Sequence, residues 1–194
     1  VSFFINDKKV QANKDESIWQ VAKRLGEEIP HLCYSEEKSY RADGNCRACM
    51  VEIEGERVLA ASCIRKPSEN MKVFTSSDRA KKSRELVFEL LLTDQPKKEK
   101  AHDPDSYFWK WIDEVKIKDS RFPKKTACNN DVSHPSMAVN LDACIHCNLC
   151  VRACREVQVN DVIGMAYRGE NSKIVFDFDD PMGDSSCVAC GECV

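Results

Sequence analysis

The chain has 194 residues, of which 42% are hydrophobic, and its formal net charge is −3. This length suits one large domain or two small ones, and the charge gives no reason to expect a nucleic acid or an anionic membrane surface as a partner. No run of eighteen apolar residues is present, so no membrane-spanning segment is predicted. The exceptional feature is the number of cysteines, which is 12.

The first part of the chain, residues 1–76, is predicted to be a small α+β domain. Asn6-Asp7 forms a turn between two short strands, which indicates a hairpin. Ser17–Leu25 has the apolar spacing of an amphipathic helix, with Asp15 or Ser17 as its cap and Gly26 at its end. Three more short strands are predicted after this helix, at Cys49–Ile53, Arg57–Ser62 and Met71–Phe74.

The middle part, residues 77–136, is predicted to be a helical connector. Its first helix begins at residues 76–78 and ends before Pro96, and we expect it to be buried on several sides because its second half is apolar nearly all round. The aromatic residues of a second helix could stack on a nucleotide, but their helical spacing favours ordinary packing on one face. That face is predicted to hold Tyr107, Phe108, Trp111, Ile112 and Val115.

The last part, residues 137–194, is predicted to begin with a strand at Met137–Leu141 and a helix at Leu149–Val157. Ile163–Tyr167 and Lys173–Phe178 lie on either side of a turn-forming segment, which predicts a hairpin. One CxxCxxC run precedes this hairpin and another follows it. The two runs form an internal repeat with an insertion.

Four cysteines of the first part have the spacing of metal ligands. They are Cys33, Cys46, Cys49 and Cys63, with gaps of twelve, two and thirteen residues. Thiolate sulfur selects soft metals, and the small residues Gly44 and Ala48 would let backbone N–H groups approach the sulfurs of a cluster. We therefore predict a [2Fe–2S] cluster here, with a zinc ion held by four thiolates as the alternative.

Seven cysteines of the last part have the spacing of a bacterial ferredoxin with two [4Fe–4S] clusters. They are Cys144, Cys147, Cys150 and Cys154, followed by Cys187, Cys190 and Cys193. In such ferredoxins the fourth cysteine of a run ligates the other cluster, so Cys154 is predicted to complete the site of Cys187, Cys190 and Cys193. The fourth ligand for Cys144, Cys147 and Cys150 is expected beyond Val194, in a longer functional protein.

A disulfide scaffold is the other common reason for many cysteines. CxxC pairs at ligand distance are poor disulfide partners for remote residues, so the pattern favours metal binding in a reducing compartment, the cytoplasm. Cys128 is predicted to be a free thiol in a loop. His102, His134 and His146 are not predicted to be ligands, because no CxxC pair is free to join them. No catalytic residues are predicted in the chain.

A [2Fe–2S] domain followed by a two-[4Fe–4S] domain resembles the N-terminal region of three related enzyme families. These are the complex I large iron–sulfur subunit, iron-only hydrogenases, and the alpha subunit of NAD-dependent molybdenum or tungsten formate dehydrogenase. Residues 133–168 and 176–183 look most like the formate dehydrogenase subunit. Complex I and many hydrogenases carry an extra cluster held by one histidine and three cysteines that follow it closely. Here the first cysteine after His102 is Cys128, which argues against both.

The resemblance implies a β-grasp [2Fe–2S] ferredoxin-like domain, a helical connector and a double-cubane ferredoxin-like domain that is truncated at its C-terminus. It also implies an electron relay. Formate would be oxidised to CO2 at a molybdopterin-type molybdenum or tungsten cofactor in a downstream catalytic domain, and electrons would reach a flavin- and NAD-binding iron–sulfur partner subunit. The alternatives are an electron-transfer subunit of an NAD-linked hydrogenase diaphorase or complex I-like enzyme, and a zinc-binding interaction module.

Overall fold

The computed structural model describes residues 1–126 and 128–194. The predicted N-terminal hairpin is confirmed: β1 (Ser2–Ile5) and β2 (Lys8–Gln11) pair antiparallel along their whole length. Its turn residues Asn6 and Asp7 have φ values of 47° and 64°. Asn and Asp tolerate this left-handed backbone, which matches the twist of the two strands.

The first helix, α1 (Ile18–Arg24), begins at the cap that the sequence predicts. The Ser17 hydroxyl accepts from the Gln20 backbone N–H at 3.3 Å, and the Gln20 side chain accepts from the Ser17 N–H at 2.8 Å. This reciprocal pair satisfies two of the free N–H groups at the helix start. Gly26, with φ 79°, follows the helix end.

Helix α1 packs on a five-stranded mixed sheet with strand order β2-β1-β5-β3-β4. The remaining strands are β3 (Met50–Ile53), β4 (Ala60–Ala61) and β5 (Lys72–Phe74). Strands β1 and β5 run parallel, whereas the other neighbours are antiparallel. The core between helix and sheet includes Phe3, Ile18, Val21, Val51 and Val73, all fully buried. One helix held against such a sheet fits the predicted β-grasp domain.

The strand predicted at Arg57–Ser62 is wrong in length, because only Ala60–Ala61 pairs with β3. The chain before it leaves the sheet, and the Arg57 carbonyl accepts a hydrogen bond from the guanidinium of Arg79 instead. A backbone carbonyl that is satisfied in this way has no need of a ladder partner.

The connector contains α2 (Asp78–Leu92), capped by Ser77, and α3 (Tyr107–Val115). The prediction that the second half of α2 is buried on several sides is wrong: Phe88 is fully buried, but Leu90 is 51% exposed. Among the described residues, Leu90 thus marks a side of α2 that stays exposed. On α3, Trp109 joins Phe108 and Ile112 in the core, whereas Tyr107 is exposed, so the predicted face is rotated.

The last part folds around α4 (Leu149–Arg152), which continues as a π-helical turn over Ala153–Val157. The predicted hairpin is confirmed as β6 (Ile163–Ala166) and β7 (Lys173–Phe176). The strand predicted at Met137–Leu141 is wrong. Val139 makes only an isolated bridge to Asp131, after which the chain forms a 3-10 turn at Leu141–Ala143 that leads into Cys144.

The predicted domain boundaries at 76/77 and 136/137 stay predictions. Strand β5 ends at Phe74 and α2 begins at Asp78, while separate hydrophobic clusters form around the sheet and around the β6–β7 hairpin. Among the described residues, no helix has the length and apolar character needed to cross a bilayer.

Arg84 connects α2 to the sheet and generates a test of the fold. Its guanidinium is 8% exposed and donates to the Met50 carbonyl at 2.7 and 2.9 Å and to the Thr75 carbonyl. Replacing Arg84 with Ala leaves both carbonyls without these donors, so we expect the free energy of unfolding in urea to fall by about 2–4 kcal/mol. The control Lys82→Ala, on an exposed position of α2, should change it by less than about 0.5 kcal/mol. Equal losses would contradict this role of Arg84.

Candidate iron–sulfur centres

The four cysteines of the first set come together at one end of the sheet. Cys49 directly precedes β3, and Ser62 alone separates Cys63 from the end of β4. Because Met50 pairs with Ala61, the sulfurs of Cys49 and Cys63 lie 3.4 Å apart. Cys33 and Cys46 lie side by side in the long loop between α1 and β3. Cys33, Cys49 and Cys63 are at most 2% exposed, while Cys46 is half-buried.

Within each sulfur pair the two thiols have opposite acidities. The contact with Cys33 lowers the pKa of Cys46 to about 6, and the contact with Cys63 lowers the pKa of Cys49 to about 7. The same contacts raise the pKa values of Cys33 and Cys63. A thiolate is the metal-binding form of cysteine, so each pair presents one sulfur that is readily ionised and one whose proton a metal must displace.

The loop around Cys46 approaches the sulfurs closely through its backbone. The N–H of the fully buried Ala48 donates to the Cys46 sulfur at 3.5 Å. Gly44 has φ 64°, and a side chain there would approach the Ile64 side chain to 2.9 Å. Four cysteines in two close pairs, three of them buried, with a backbone N–H directed at one sulfur, fit a [2Fe–2S] cluster, which takes four thiolates.

The predicted crossover set also comes together. One cavity is lined by Cys154, Cys187, Cys190 and Cys193. Three donors approach these sulfurs: Val162 N–H to Cys154 at 3.3 Å, Ala189 N–H to Cys187 at 3.4 Å and the Asn160 amide to Cys190 at 3.9 Å. Apolar side chains, including Met137, Val162 and Ile163, line the rest of this cavity. A thiol-lined cavity with N–H donors suits a cubane cluster.

The third set, Cys144, Cys147 and Cys150, lies between the other two. Burial, followed by the nearby thiols of Cys147, Cys144 and Cys193, raises the pKa of Cys150 to about 12. Cys193 belongs to the crossover set, so these two groups are neighbours. On the other side, the amide of Asn45, which precedes Cys46 of the first set, donates to the carbonyl of His146, which precedes Cys147, at 3.2 Å. The three groups therefore follow one another in space.

The residues that were not predicted to be ligands have other neighbours. His146 Nε2 lies 3.2 Å from the Asp94 carboxylate, and His134 Nδ1 accepts from the Ser136 N–H at 3.1 Å. His102 lies at a groove that Cys147 and Cys150 also line. Cys128 is half-buried near Lys125 and Cys144, outside all three sulfur groups. That these four residues are not ligands stays a prediction.

Sequence reasoning missed Arg152, which is 3% exposed and lies between Cys150 and Cys154 on α4. Its guanidinium donates to the carbonyls of Cys33 and Arg41 in the first domain. The only available signal was its place inside a cysteine run, between Cys150 and Cys154.

Residues 1–78 match the model of a family described as 2Fe-2S iron-sulfur cluster binding domain. The matched residues include all four cysteines of the first set. This match agrees with the sulfur pairs at the end of its sheet, and a [2Fe–2S] cluster is the cofactor it supports. The individual ligands stay predictions.

Curated relatives extend the similarity over nearly the whole chain. The NADP-reducing hydrogenase subunit HndD of Solidesulfovibrio fructosivorans is 32% identical over 98% of this chain and 34% of its own length. The probable oxidoreductase YjgC of Bacillus subtilis is 28% identical over 97% of this chain and 19% of its own. The NADH-ubiquinone oxidoreductase 75 kDa subunit of Reclinomonas americana is 32% identical over 90% of this chain and 25% of its own length. The chain thus spans about a fifth to a third of these relatives.

A solved structure of an NAD+-reducing [NiFe]-hydrogenase in the H2-reduced state contains a similar chain. The two share a TM-score of 0.82 and 24% identity, over 97% of this chain and 80% of that one. This comparison concerns the fold alone. The arrangement of sheet, connector and cysteine-rich part therefore also occurs in a chain of that solved structure.

The first sulfur group generates a spectroscopic prediction. In the protein reconstituted with iron and sulfide, Cys46→Ser should abolish the [2Fe–2S] EPR signal, because it replaces one of the four thiolates with a hydroxyl that binds soft metals poorly. The matched control is Cys128→Ser, which lies outside the three groups and should leave the signal unchanged. A signal that survives Cys46→Ser would refute the ligand set, and a colourless protein that binds zinc would favour the alternative site.

Proposed function

We propose that this chain is the iron–sulfur electron relay of an NAD-dependent formate dehydrogenase. The observation that supports a relay is the placement of the three thiol groups: the Asn45 amide, next to Cys46, donates to the carbonyl of His146, next to Cys147, and Cys147, Cys150 and Cys193 line one groove. The names of the relatives, which are subunits of hydrogenase and NADH-linked oxidoreductases, support the same class of function.

In this proposal Cys33, Cys46, Cys49 and Cys63 hold the [2Fe–2S] cluster. Cys154, Cys187, Cys190 and Cys193 hold one [4Fe–4S] cluster, and Cys144, Cys147 and Cys150 hold another together with a fourth ligand beyond Val194. When bound, each cluster accepts and releases single electrons. The chain itself buries four of the thiols, those of Cys33, Cys49, Cys63 and Cys154. It also directs N–H donors at several sulfurs and holds the three sites near one another, which would set the potentials and the distances for transfer.

Formate as the substrate rests on the resemblance of residues 133–168 and 176–183 to the alpha subunit of formate dehydrogenase. A downstream domain with a molybdopterin-type molybdenum or tungsten cofactor would oxidise formate to CO2. A flavin- and NAD-binding iron–sulfur subunit would be the partner that receives the electrons. The similarity to the NADP-reducing hydrogenase subunit equally supports a relay in an NAD-linked hydrogenase or a complex I-like enzyme, with hydrogen or NADH as the electron donor.

Activity of the complete enzyme tests the proposal. Formate should reduce NAD+ in the assembly that contains this chain, whereas hydrogen should not. Deleting residues 1–76 should abolish NAD+ reduction and spare the reduction of an artificial dye by formate, because the cubane sites would remain connected to the catalytic domain. Hydrogen-dependent NAD+ reduction would favour the alternative enzyme, and NAD+ reduction that survives the deletion would show that electrons leave elsewhere.

Serine variants of Cys154 and Cys144 test the crossover. Cys154→Ser should perturb the [4Fe–4S] site of Cys187, Cys190 and Cys193, since its sulfur faces their cavity, whereas Cys144→Ser should perturb the other cubane. The two EPR signals of the reduced cubanes, resolved by their temperature dependence, report which site each variant affects. Loss of the same signal in both variants would place Cys154 and Cys144 on one cluster and refute the crossover.

A further inference from the structure

Arg152 is a buried cation at the junction of the iron–sulfur sites. It lies on α4 between Cys150 and Cys154, which are predicted to bind different clusters, and only 3% of it is exposed. A buried charge is expensive unless other groups compensate it. The contacts of Arg152 therefore indicate which groups stabilise its buried charge.

The guanidinium of Arg152 crosses from the last part of the chain into the first. One terminal nitrogen donates to the Arg41 carbonyl and the other to the carbonyl of Cys33. Both acceptors belong to the segment from Cys33 to Cys46, which carries two of the four predicted [2Fe–2S] ligands. Arg152 thus fixes α4 against the loop that holds the first site.

The positive charges of two nearby arginines, Arg41 and Arg155, are paired with carboxylates. Arg41 pairs with Asp43 and Glu156, and Arg155 pairs with Asp161. In the part of the chain that the structure describes, Arg152 has no such ion pair, and its buried Nε–H has no acceptor. Its own helix, α4, also carries Cys150 of the third set. Clusters ligated by thiolates at these sites would supply negative charge beside Arg152.

We propose that Arg152 is a positioning residue for electron transfer that raises the reduction potentials of the [2Fe–2S] site and of the site of Cys147, while it holds the two sites together. This inference rests on the proposal that these sites hold clusters. Four thiolates make a loaded site anionic, and reduction adds one more negative charge. A fixed cation in a poorly solvated position stabilises that added charge, with little screening by salt.

The test is a redox titration of the full-length chain, loaded with iron and sulfide, in which the EPR signal of the [2Fe–2S] cluster reports the midpoint potential. Arg152→Gln removes the charge and keeps an amide donor. We expect the equilibrium constant for reduction to fall about tenfold, a downward shift of about 59 mV for one electron. Arg152→Lys keeps the charge and should recover most of this shift.

Arg155→Gln is the matched control. Arg155 is on the same helical segment and lies one residue from Cys154, but its side chain is 54% exposed and paired with Asp161. We expect its midpoint shift to be less than a third of the shift in Arg152→Gln. An equal shift in both variants would show that net charge alone matters and would overturn the special role of Arg152.

The remaining outcomes separate this inference from the proposed function. A loaded Arg152→Gln protein with an unchanged midpoint overturns the role of Arg152 and leaves the relay intact. If Arg152→Gln fails to load its clusters, the Arg152→Lys protein is titrated instead. A tenfold fall in its equilibrium constant for reduction, despite the retained charge, overturns the inference. A nearly unchanged midpoint potential supports it. An unsubstituted chain that takes up no iron and sulfide overturns the relay and the inference together.

Discussion

Sulfur atoms from remote parts of the chain lie next to one another, and most of the fold follows from the need to hold them there. The contact of Cys49 with Cys63 depends on the two residue pairs that join β3 and β4. In each close pair one thiol has a lowered pKa and the other a raised pKa. Because metals bind thiolates and displace thiol protons, binding of a cluster here would be coupled to the folding of the loops.

The connector determines how the first and last parts meet. Phe88 of α2 and Phe108, Trp109 and Ile112 of α3 pack against Leu32 and Ala48, next to the first sulfur group. The aromatic residues of α3 thus serve as packing and not as a stacking surface, except for Tyr107 at its exposed start. Leu90 marks the opposite face of α2, which the described part of the chain leaves open to solvent.

Polar contacts complete the junction between the first domain and the cysteine-rich part. Arg152 makes the buried contacts, while the Arg41–Glu156 ion pair and the 3.1 Å hydrogen bond from Tyr40 to Glu192 lie nearer the surface. Exposed ion pairs contribute little to stability, whereas buried charge-assisted hydrogen bonds contribute more and impose a defined geometry. A relay needs that geometry, because electron transfer depends on fixed distances between its sites.

The sequence by itself determined the features that depend on local signals. The Asn6-Asp7 turn, the Ser17 cap and the β6–β7 hairpin were predictable because each depends on neighbouring residues. The grouping of eleven cysteines was also visible, since ligand spacing is a local property, and the structure brings each predicted group together.

Only the tertiary structure decided which surfaces are buried and how the sites are ordered. The exposure of Leu90 and the shortened strand before Cys63, where the Arg57 carbonyl accepts from Arg79 and not from the sheet, depend on how separate elements pack. The burial of Arg152 is the clearest case. Nothing in the residues next to it shows that its charge points inward, because its hydrogen-bond acceptors lie more than a hundred residues earlier in the chain. Contacts between remote segments determine how deeply such a side chain is buried and which groups surround it. The residues next to it in the sequence do not specify either property.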